Sequence, residues 1–456
     1  MKLISPTDAM FLVGESREHP MHVGGLQLFE PPADAGPDFV GDLYRTIATC
    51  DDFQPTFRKH PASLLGGISN VAWTLDSEVD VDYHLRRSGL PRPGRVRELL
   101  ELTSRIHGTL LDRHRPLWEA YFVEGLSDGR FAIYTKIHHA LIDGVSAQRL
   151  MIRTLAADPA DREVRVPWTL QAKKRAAKSA SPGSSLVGAL TGAAGAVAGI
   201  APSTISLARA ALFEQQLTLP FRAPKTMFNV PIGGARRCAA QSWKLARLRA
   251  VKEAAPGSTV NDVVLAMCAG ALRAYLDEQH ALPEKPLVAM VPVSLRGEHE
   301  QDAGGNMVGT ILCNLATDVV DPMKRLEAIS ASMRDNKQVF SELPRTQALA
   351  LSGFLVAGLG LSLVPGFVSS APPPFNIVIS NVPGAREPMY WNGARLDGNY
   401  PMSIALDGQA LNITLTNNAD NLDFGLVGCR RSVPHLQRLL THLEDSLAAL
   451  EQAAGL

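Results

Sequence analysis

Along the first 160 residues or so, short apolar runs alternate with polar positions, and between them lie segments whose apolar residues recur at helical spacing. The clearest junction is "RFAIYTKIHHALIDGVSAQRLMIRTLAA". Alternation from Phe131 to Ile137 predicts a strand, and the spacing of Val145, Leu150, Met151 and Leu155 predicts a helix after it. "DSEVDVDYH" (76–84) alternates acids with Val79 and Val81 and reads as a half-solvated strand. Between 161 and 235 the pattern breaks into a basic cluster (Lys173, Lys174, Arg175, Lys178), "SASPGSS", an Ala/Gly run and "LPFRAPKTMFNVPIGGARR", which together read as a long crossover linker.

Regular patterning resumes at 236. "STVNDVVLAMCAGALRAYLDEQ" predicts an apolar helix opening near Thr259 or Asn261, where a short polar side chain can cap the free first-turn amides. "LVAMVPVSLR" and "FNIVISNVPG" predict buried strands, "SIALDGQALNITLTNN" predicts a hairpin turning at Asp407-Gly408, and Val433, Leu436, Leu440, Leu443 and Leu447 mark a closing amphipathic helix. Strands and helices in both halves predict an α/β fold of two layered domains, residues 1–160 and 236–456, joined by the 161–235 crossover.

Composition narrows the function. Acidic and basic residues each number 45, so no global field draws the chain to nucleic acid. The cysteines (Cys50, Cys238, Cys268, Cys313, Cys429) are scattered and odd in number, which argues against a disulfide framework or zinc ribbon and suits a reducing cytoplasm. The N-terminal stretch reaches Asp8 and Glu15 without the apolar core of an export signal. The run "LVGALTGAAGAVAGIAP" (186–202) is shorter than a membrane span of roughly 20 residues. There is no GxSxG elbow, no phosphate-binding GxxxxGK[ST] and no GxGxxG, so a serine hydrolase, ATP and NAD are not suggested.

The chemistry concentrates at the strand-to-helix junction, in His138-His139-Ala140-Leu141-Ile142-Asp143-Gly144. Alternation puts His139 on the face of Phe131, Ile133 and Ile137, and His138 on that of Tyr134 and Lys136. That makes His139 the more desolvated of the two and keeps its imidazole neutral, as a general base must be. Asp143 orients the loop, and Gly144 either admits a close substrate or takes positive φ. A metal site built on both histidines is disfavoured, because neighbouring strand residues point apart. Asn261 is a candidate donor to an oxyanion, with helix capping as its plainer role, and Asp262 suits a helix N-terminus. Trp118, Asn376, Ser380 and Asn381 are candidate walls of a substrate tunnel, with core packing the plainer reading of Trp118.

The HHxxxDG heptad resembles the signature of CoA-dependent acyltransferases with the chloramphenicol-acetyltransferase-like fold. With "MHVGGL" (21–26), "LLDRHRPLWE" (110–119), "NDVVLA" (261–266), "ISNVPG" (379–384) and "YWNGARL" (390–396), the chain resembles the bacterial wax ester synthase/acyl-CoA:diacylglycerol acyltransferase family from residue 4 to about 447. It departs at Ala385, where the family often continues with proline. The resemblance implies two chloramphenicol-acetyltransferase-like domains with the active site in the tunnel between them. It implies long-chain acyl-CoA as donor, a fatty alcohol or diacylglycerol as acceptor, and no cofactor. In that reading His139 is the base, His138 assists and Asp143 holds the loop, without a covalent acyl-enzyme. The expected location is the cytoplasm; the implied lipid substrates would let the basic cluster touch a membrane or lipid-droplet surface, with a solvated linker as its plainer reading. A carrier-bound acyl donor, or a non-catalytic lipid-binding role, are the competing readings.

Overall fold

A computed structural model describes residues 2–64, 68–171, 218, 220–294, 308–342 and 366–456. In chain order the first half forms β1 (Lys2–Leu3), α1 (Pro6–Gly14), β2 (His22–Glu30), α2 (Phe39–Ala48), β3 (Lys59–Leu64), β4 (Ile68–Leu75), α3 (Val81–His84), β5 (Leu85–Gly89), α4 (Val96–His107), β6 (Trp118–Glu124), β7 (Phe131–His138) and α5 (Gly144–Ile152). The second half forms β8 (Arg236–Lys244), α6 (Leu245–Ala254), α7 (Val260–Glu278), β9 (Val288–Ser294), β10 (Val308–Asn314), α8 (Pro322–Glu342), α9 (Phe367–Ser370), β11 (Ile377–Ala385), β12 (Tyr390–Trp391), β13 (Ala394–Met402), β14 (Leu411–Asn418), β15 (Asn421–Cys429) and α10 (Arg438–Ala453). The basic cluster at 173–178 and the Ala/Gly run at 186–202 lie outside the described residues.

Among the described residues twelve of these strands form two six-stranded sheets, ordered β12-β13-β2-β7-β6-β5 and β10-β9-β11-β14-β15-β8, and the other three form a small sheet ordered β1-β4-β3. The first sheet is therefore not made by the first half alone, and a boundary drawn at 236 does not separate the two sheets. β13 leaves the second half to pair antiparallel with β2, from Arg395 opposite Glu30 to Met402 opposite Gly24. Asn392 and Gly393, both at positive φ, turn the short β12–β13 hairpin. β13 also lies against β15 so closely that a Cβ on Gly425 would come within 1.9 Å of the Pro401 carbonyl oxygen. Only glycine fits there.

The larger core joins both sheets through α4 and α7. Leu99, Leu100 and Ile106 of α4 share it with Tyr134 of β7 and Cys238 of β8. The Ser104 hydroxyl oxygen accepts the Cys238 amide at 2.9 Å, tying helix to second sheet. α7 is buried almost all round from Asp262 to Leu276, as its apolar composition requires. A second core, including Phe29, Trp118, Phe122, Phe131 and Ile137, covers the opposite face of the first sheet and packs on α2 and α5.

Local expectations fail in instructive places. The 76–84 segment is a single helical turn whose Asp80 side chain accepts the Tyr83 amide, because an acid before a turn competes well as a cap. Gly408 does take positive φ at the expected turn, but Leu406 and Gln409 form only an isolated bridge. The strands flanking that turn part company, β13 to the first sheet and β14 to the second. The closing helix begins at Arg438, and Leu439, Leu443, Leu447 and Leu450 form its buried face.

Candidate active site

β7 pairs with β2 in register from Phe131 opposite Phe29 to His138 opposite His22, and the His139 amide extends the ladder by donating to the Met21 carbonyl at 2.8 Å. Gly24 of the MHVGG stretch leaves room for the Tyr134 hydroxyl, which a Cβ there would meet at 2.5 Å. After His139 the chain turns, and the Leu141 amide donates back to the His138 carbonyl at 2.9 Å. Asp143 then starts α5 as its N-cap, one carboxylate oxygen accepting the Ser146 amide at 2.8 Å and the other the Ser146 hydroxyl at 2.9 Å. A cap of this kind fixes the entry of the helix and so the loop carrying the histidines. Gly144 is the first helical residue and does not take positive φ; a Cβ there would meet only Val23 at 4.0 Å. Of the two reasons offered for this glycine, positive φ is therefore excluded, and the backbone here is open to close approach.

The two histidines diverge. His138, not His139, is wholly enclosed, at 0% exposure. Its Nδ1 accepts the Ala140 amide at 3.1 Å, which leaves Nε2 to carry the ring proton toward the Glu15 carboxylate, 3.3 Å away and off the line of a straight hydrogen bond. Glu15 is itself buried and holds Arg113 at 2.9 Å and the Met21 amide at 3.2 Å. Burial pushes the Glu15 carboxyl up, yet His138, the Met21 amide and Arg113 together outweigh it and hold it below the ordinary value. Glu15 and Arg113 were not singled out from the sequence. They lie 98 residues apart, and the signal available was the arginine inside LLDRHRPLWE.

His139 keeps part of its surface open, and its ring stacks on Phe11 with centroids 4.1 Å apart. The surrounding protein still desolvates it, lowering its pKa to about 4 against the opposing pull of Asp143, so the imidazole is neutral at physiological pH. Alternation misjudged the relative burial because both faces of β7 are covered, and what opens His139 is its place just past the strand end.

Behind His138 the same face of β7 is polar and closed. Lys136, at 0% exposure, pairs with Glu119 at 3.0 Å and donates to the Thr109 carbonyl at 3.0 Å. Tyr134 and His107 share a hydrogen bond of 2.6 Å, His22 bonds the His107 carbonyl at 3.0 Å, and His107 bonds the Ser403 carbonyl at 3.0 Å. Burial lowers the pKa of both His22 and His107, the latter to about 3.

At the facing helix, Thr259 rather than Asn261 is the cap of α7. It forms a capping box with Asp262, the Thr259 amide donating to Asp262 at 2.8 Å and the Asp262 amide to Thr259 at 3.2 Å. Asn261 is thus released from capping. Its side-chain oxygen receives a long contact of 3.5 Å from the Asn381 amide on β11, the strand that lies beside α5. Ser380 is half-buried next to it. Two proposed tunnel walls belong elsewhere. Trp118 is 1% exposed, sandwiched between His84 and Trp168, with its indole N–H on the Phe57 carbonyl at 2.9 Å. Asn376 is at 0% exposure and donates to Pro224 and Asn229 while accepting the Val288 amide, which ties three chain segments together.

Two family descriptions match this chain: the wax ester synthase/diacylglycerol acyltransferase catalytic domain over residues 4–264, and the WS/DGAT C-terminal domain over 304–451. The chain is 67% identical over its full length, and that of its relative, to a probable diacylglycerol O-acyltransferase of Mycobacterium tuberculosis. It is 41% identical to the O-acyltransferase WSD of Acinetobacter baylyi, over 99% of this chain and 97% of the other. The solved wax ester synthase/diacylglycerol acyltransferase from Marinobacter aquaeolei superposes with a TM-score of 0.82 at 42% identity, covering 100% of both chains. The starter condensation domain of rhizomide synthetase, at 12% identity and a TM-score of 0.53 over 100% of this chain and 94% of that one, shares the fold. The chain belongs to the wax ester synthase/diacylglycerol acyltransferase family and is an O-acyltransferase.

Proposed function

We propose that the chain moves a long-chain acyl group from acyl-CoA to the hydroxyl of a fatty alcohol or diacylglycerol, with His139 as general base. The observation that carries this reading is a neutral, partly open imidazole at the end of a strand whose every other anchor is buried. An alcohol is a weak nucleophile, whereas a thiolate leaves readily, so assistance is needed at the hydroxyl. The unprotonated ring nitrogen of His139 takes the hydroxyl proton as the oxygen bonds to the thioester carbon. The carbon–sulfur bond then breaks, and the imidazolium returns the proton to the CoA sulfur. General-base help of this kind typically contributes about 10² to 10⁴ in rate.

Asn261 is assigned the developing oxyanion. Asn381 occupies its oxygen, which leaves the Asn261 amide N–H₂ free to donate, and one such donor is worth roughly 3 to 4 kcal/mol in the transition state. Phe11 and Asp143 set the plane and position of the His139 ring, and Ser380 and Asn381 stand beside the path of the acceptor. Donor and acceptor reach the base along a tunnel between the two halves. Among the described residues no helix is long and apolar enough to cross a membrane. In this reading lipid acceptors are met by peripheral contact with a membrane or droplet surface.

The test supplies purified protein with palmitoyl-CoA and either hexadecanol or dipalmitoylglycerol, following thiol release and ester together. Ester from at least one acceptor, abolished in His139→Ala, is the expected result. Tight palmitoyl-CoA binding with no ester from any alcohol would overturn it in favour of a binding protein.

A further inference from the structure

Where the loop before β2, the end of α4, the start of β8 and the turn after β15 meet, they enclose an open groove of about 650 Å³. Five arginines line it, Arg17, Arg105, Arg236, Arg237 and Arg430, against two glutamates, Glu18 and Glu101. The segments are locked together rather than loosely adjacent. A Cβ on Gly234 would lie 2.7 Å from the Arg17 carbonyl, and one on Gly108 would lie 3.3 Å from the Gly234 carbonyl. The Arg430 amide donates to the Ala235 carbonyl at 3.0 Å.

The charges in this groove are not balanced from within. Arg236 is 5% exposed and donates only to the carbonyls of Gly233, Glu18 and Ala405, and burial pushes its pKa down. Arg17, Arg105, Arg237 and Arg430 have no carboxylate within ion-pair distance and no side-chain hydrogen bond among the described residues. Elsewhere in the molecule, Arg87, Arg113, Arg130, Arg165 and Arg247 each pair with a carboxylate. Glu101 is already held by Arg97 at 3.3 Å. Arg105 sits in the last turn of α4, where the helix dipole favours a cation, but that accounts for one arginine of the set. Guanidiniums gathered along one concave site repel one another unless an anion is present, and their planar donor forks match phosphate oxygens.

The groove is also connected to the candidate site. Glu18 lies three residues before Met21, whose carbonyl receives the His139 amide, and Thr109 on its rim receives Lys136 of β7. We propose that the groove seats the phosphate groups of the acyl donor, the 3′-phosphate and pyrophosphate of coenzyme A. This rests on the acyl-CoA reading above. The pantetheine arm holds those phosphates far from the thioester, so a phosphate seat belongs at a rim away from the base. Anionic lipid headgroups offer the same phosphate chemistry from another source.

The test is the triple variant Arg17→Gln, Arg105→Gln, Arg430→Gln, three exposed positions whose side chains hold no other element in place. The readout is the ratio of kcat/KM for palmitoyl-CoA to that for the palmitoyl thioester of N-acetylcysteamine, which carries no phosphate. The groove predicts that this ratio falls at least tenfold in the variant, through KM for the CoA thioester, and that raised salt depresses the ratio more in the wild type. General damage to the fold would lower both donors together, and an unchanged ratio overturns the proposal. Calorimetry with 3′,5′-ADP separates this outcome from failure of the acyl-CoA reading itself. Binding by the wild type that is lost in the variant supports the seat even if palmitoyl-CoA is not turned over, and no binding by the wild type overturns it. Flotation with phosphatidylglycerol vesicles covers the second source: vesicle binding lost in the variant, with the donor ratio intact, assigns the groove to headgroups and overturns the proposal.

Discussion

The two faces of β7 are built from opposite materials. On one, Tyr134, Lys136 and His138 are fully enclosed: Tyr134 bonds His107, Lys136 pairs with Glu119, and His138 faces Glu15 at 3.3 Å. On the other, Phe131 and Ile137 pack into an aromatic core, and the chain reaches His139 only after the strand has ended, beside Phe11 and with part of its surface open. On the proposed mechanism, stiff polar anchoring on one side positions a single ring on the other for the reactants. On that mechanism His138 is a positioning residue: it accepts the Ala140 amide and faces Glu15.

That contrast can be broken from either side. The largest expected effect is His139→Ala, which should lower turnover by about 10² to 10⁴ while the thermal midpoint barely moves, measured by ester formation and calorimetry in parallel. Next is Lys136→Met on the closed face. It removes the buried cation from Glu119 and leaves the partly exposed Arg86 at 3.4 Å and the Tyr121 hydroxyl at 2.8 Å, so urea unfolding should show a loss of about 1.5 to 3 kcal/mol, the size of one hydrogen bond to a charged group. If turnover per folded molecule also collapsed, anchoring and chemistry would not be separable.

Glu15→Gln is a smaller and sharper cut. It keeps the shape but removes the charge facing His138 and Arg113, and a drop in kcat of roughly tenfold with KM held is expected, together with a loss of stability from the weakened Arg113 contact. An equal drop in Glu15→Gln and His138→Ala, with no further loss in the double variant, would show the two acting as a unit.

The pH dependence is the gentlest probe. Burial lowers the His139 pKa to about 4, so kcat/KM should stay flat from neutrality down to about pH 5, and an acid limb centred near the ordinary histidine value of about 6.5 would show the ring to be solvated. His22, His107 and His139 are all held neutral by burial, so the unfolded chain binds more protons than the folded one below about pH 6.5. Their contribution to stability is complete above that pH and is lost as pH falls toward their lowered values, which acid titration of the urea midpoint would follow.

The layered α/β fold, the helix after Thr259 and the turn at Gly408 were legible because each follows from local periodicity or backbone chemistry. Asn392-Gly393 carried an equally strong hairpin signal that was read only as part of YWNGARL, and its consequence, the passage of β13 to β2, depends on long-range pairing that no local pattern records. The histidine pair was found, but its burial was inverted, since alternation distinguishes faces only when one of them meets water. Glu15 escaped notice because a lone acid in a loop looks solvated until Arg113, far along the chain, closes over it. Trp118 and Asn376 invited functional readings by their chemistry, and their partners in the interior make them framework instead.

The passage of β13 into the other sheet has a practical outcome for anyone dividing the gene. A fragment ending in the 161–235 connection would leave β2 as a bare edge with unpaired backbone groups along most of its length, an invitation to aggregate. A fragment beginning at 236 would keep β13 packed on β15 but strip it of its ladder partner β2. Cutting the connection after folding is another matter, because the exchanged strand still rivets the pieces, and a nicked protein should run as one particle in gel filtration.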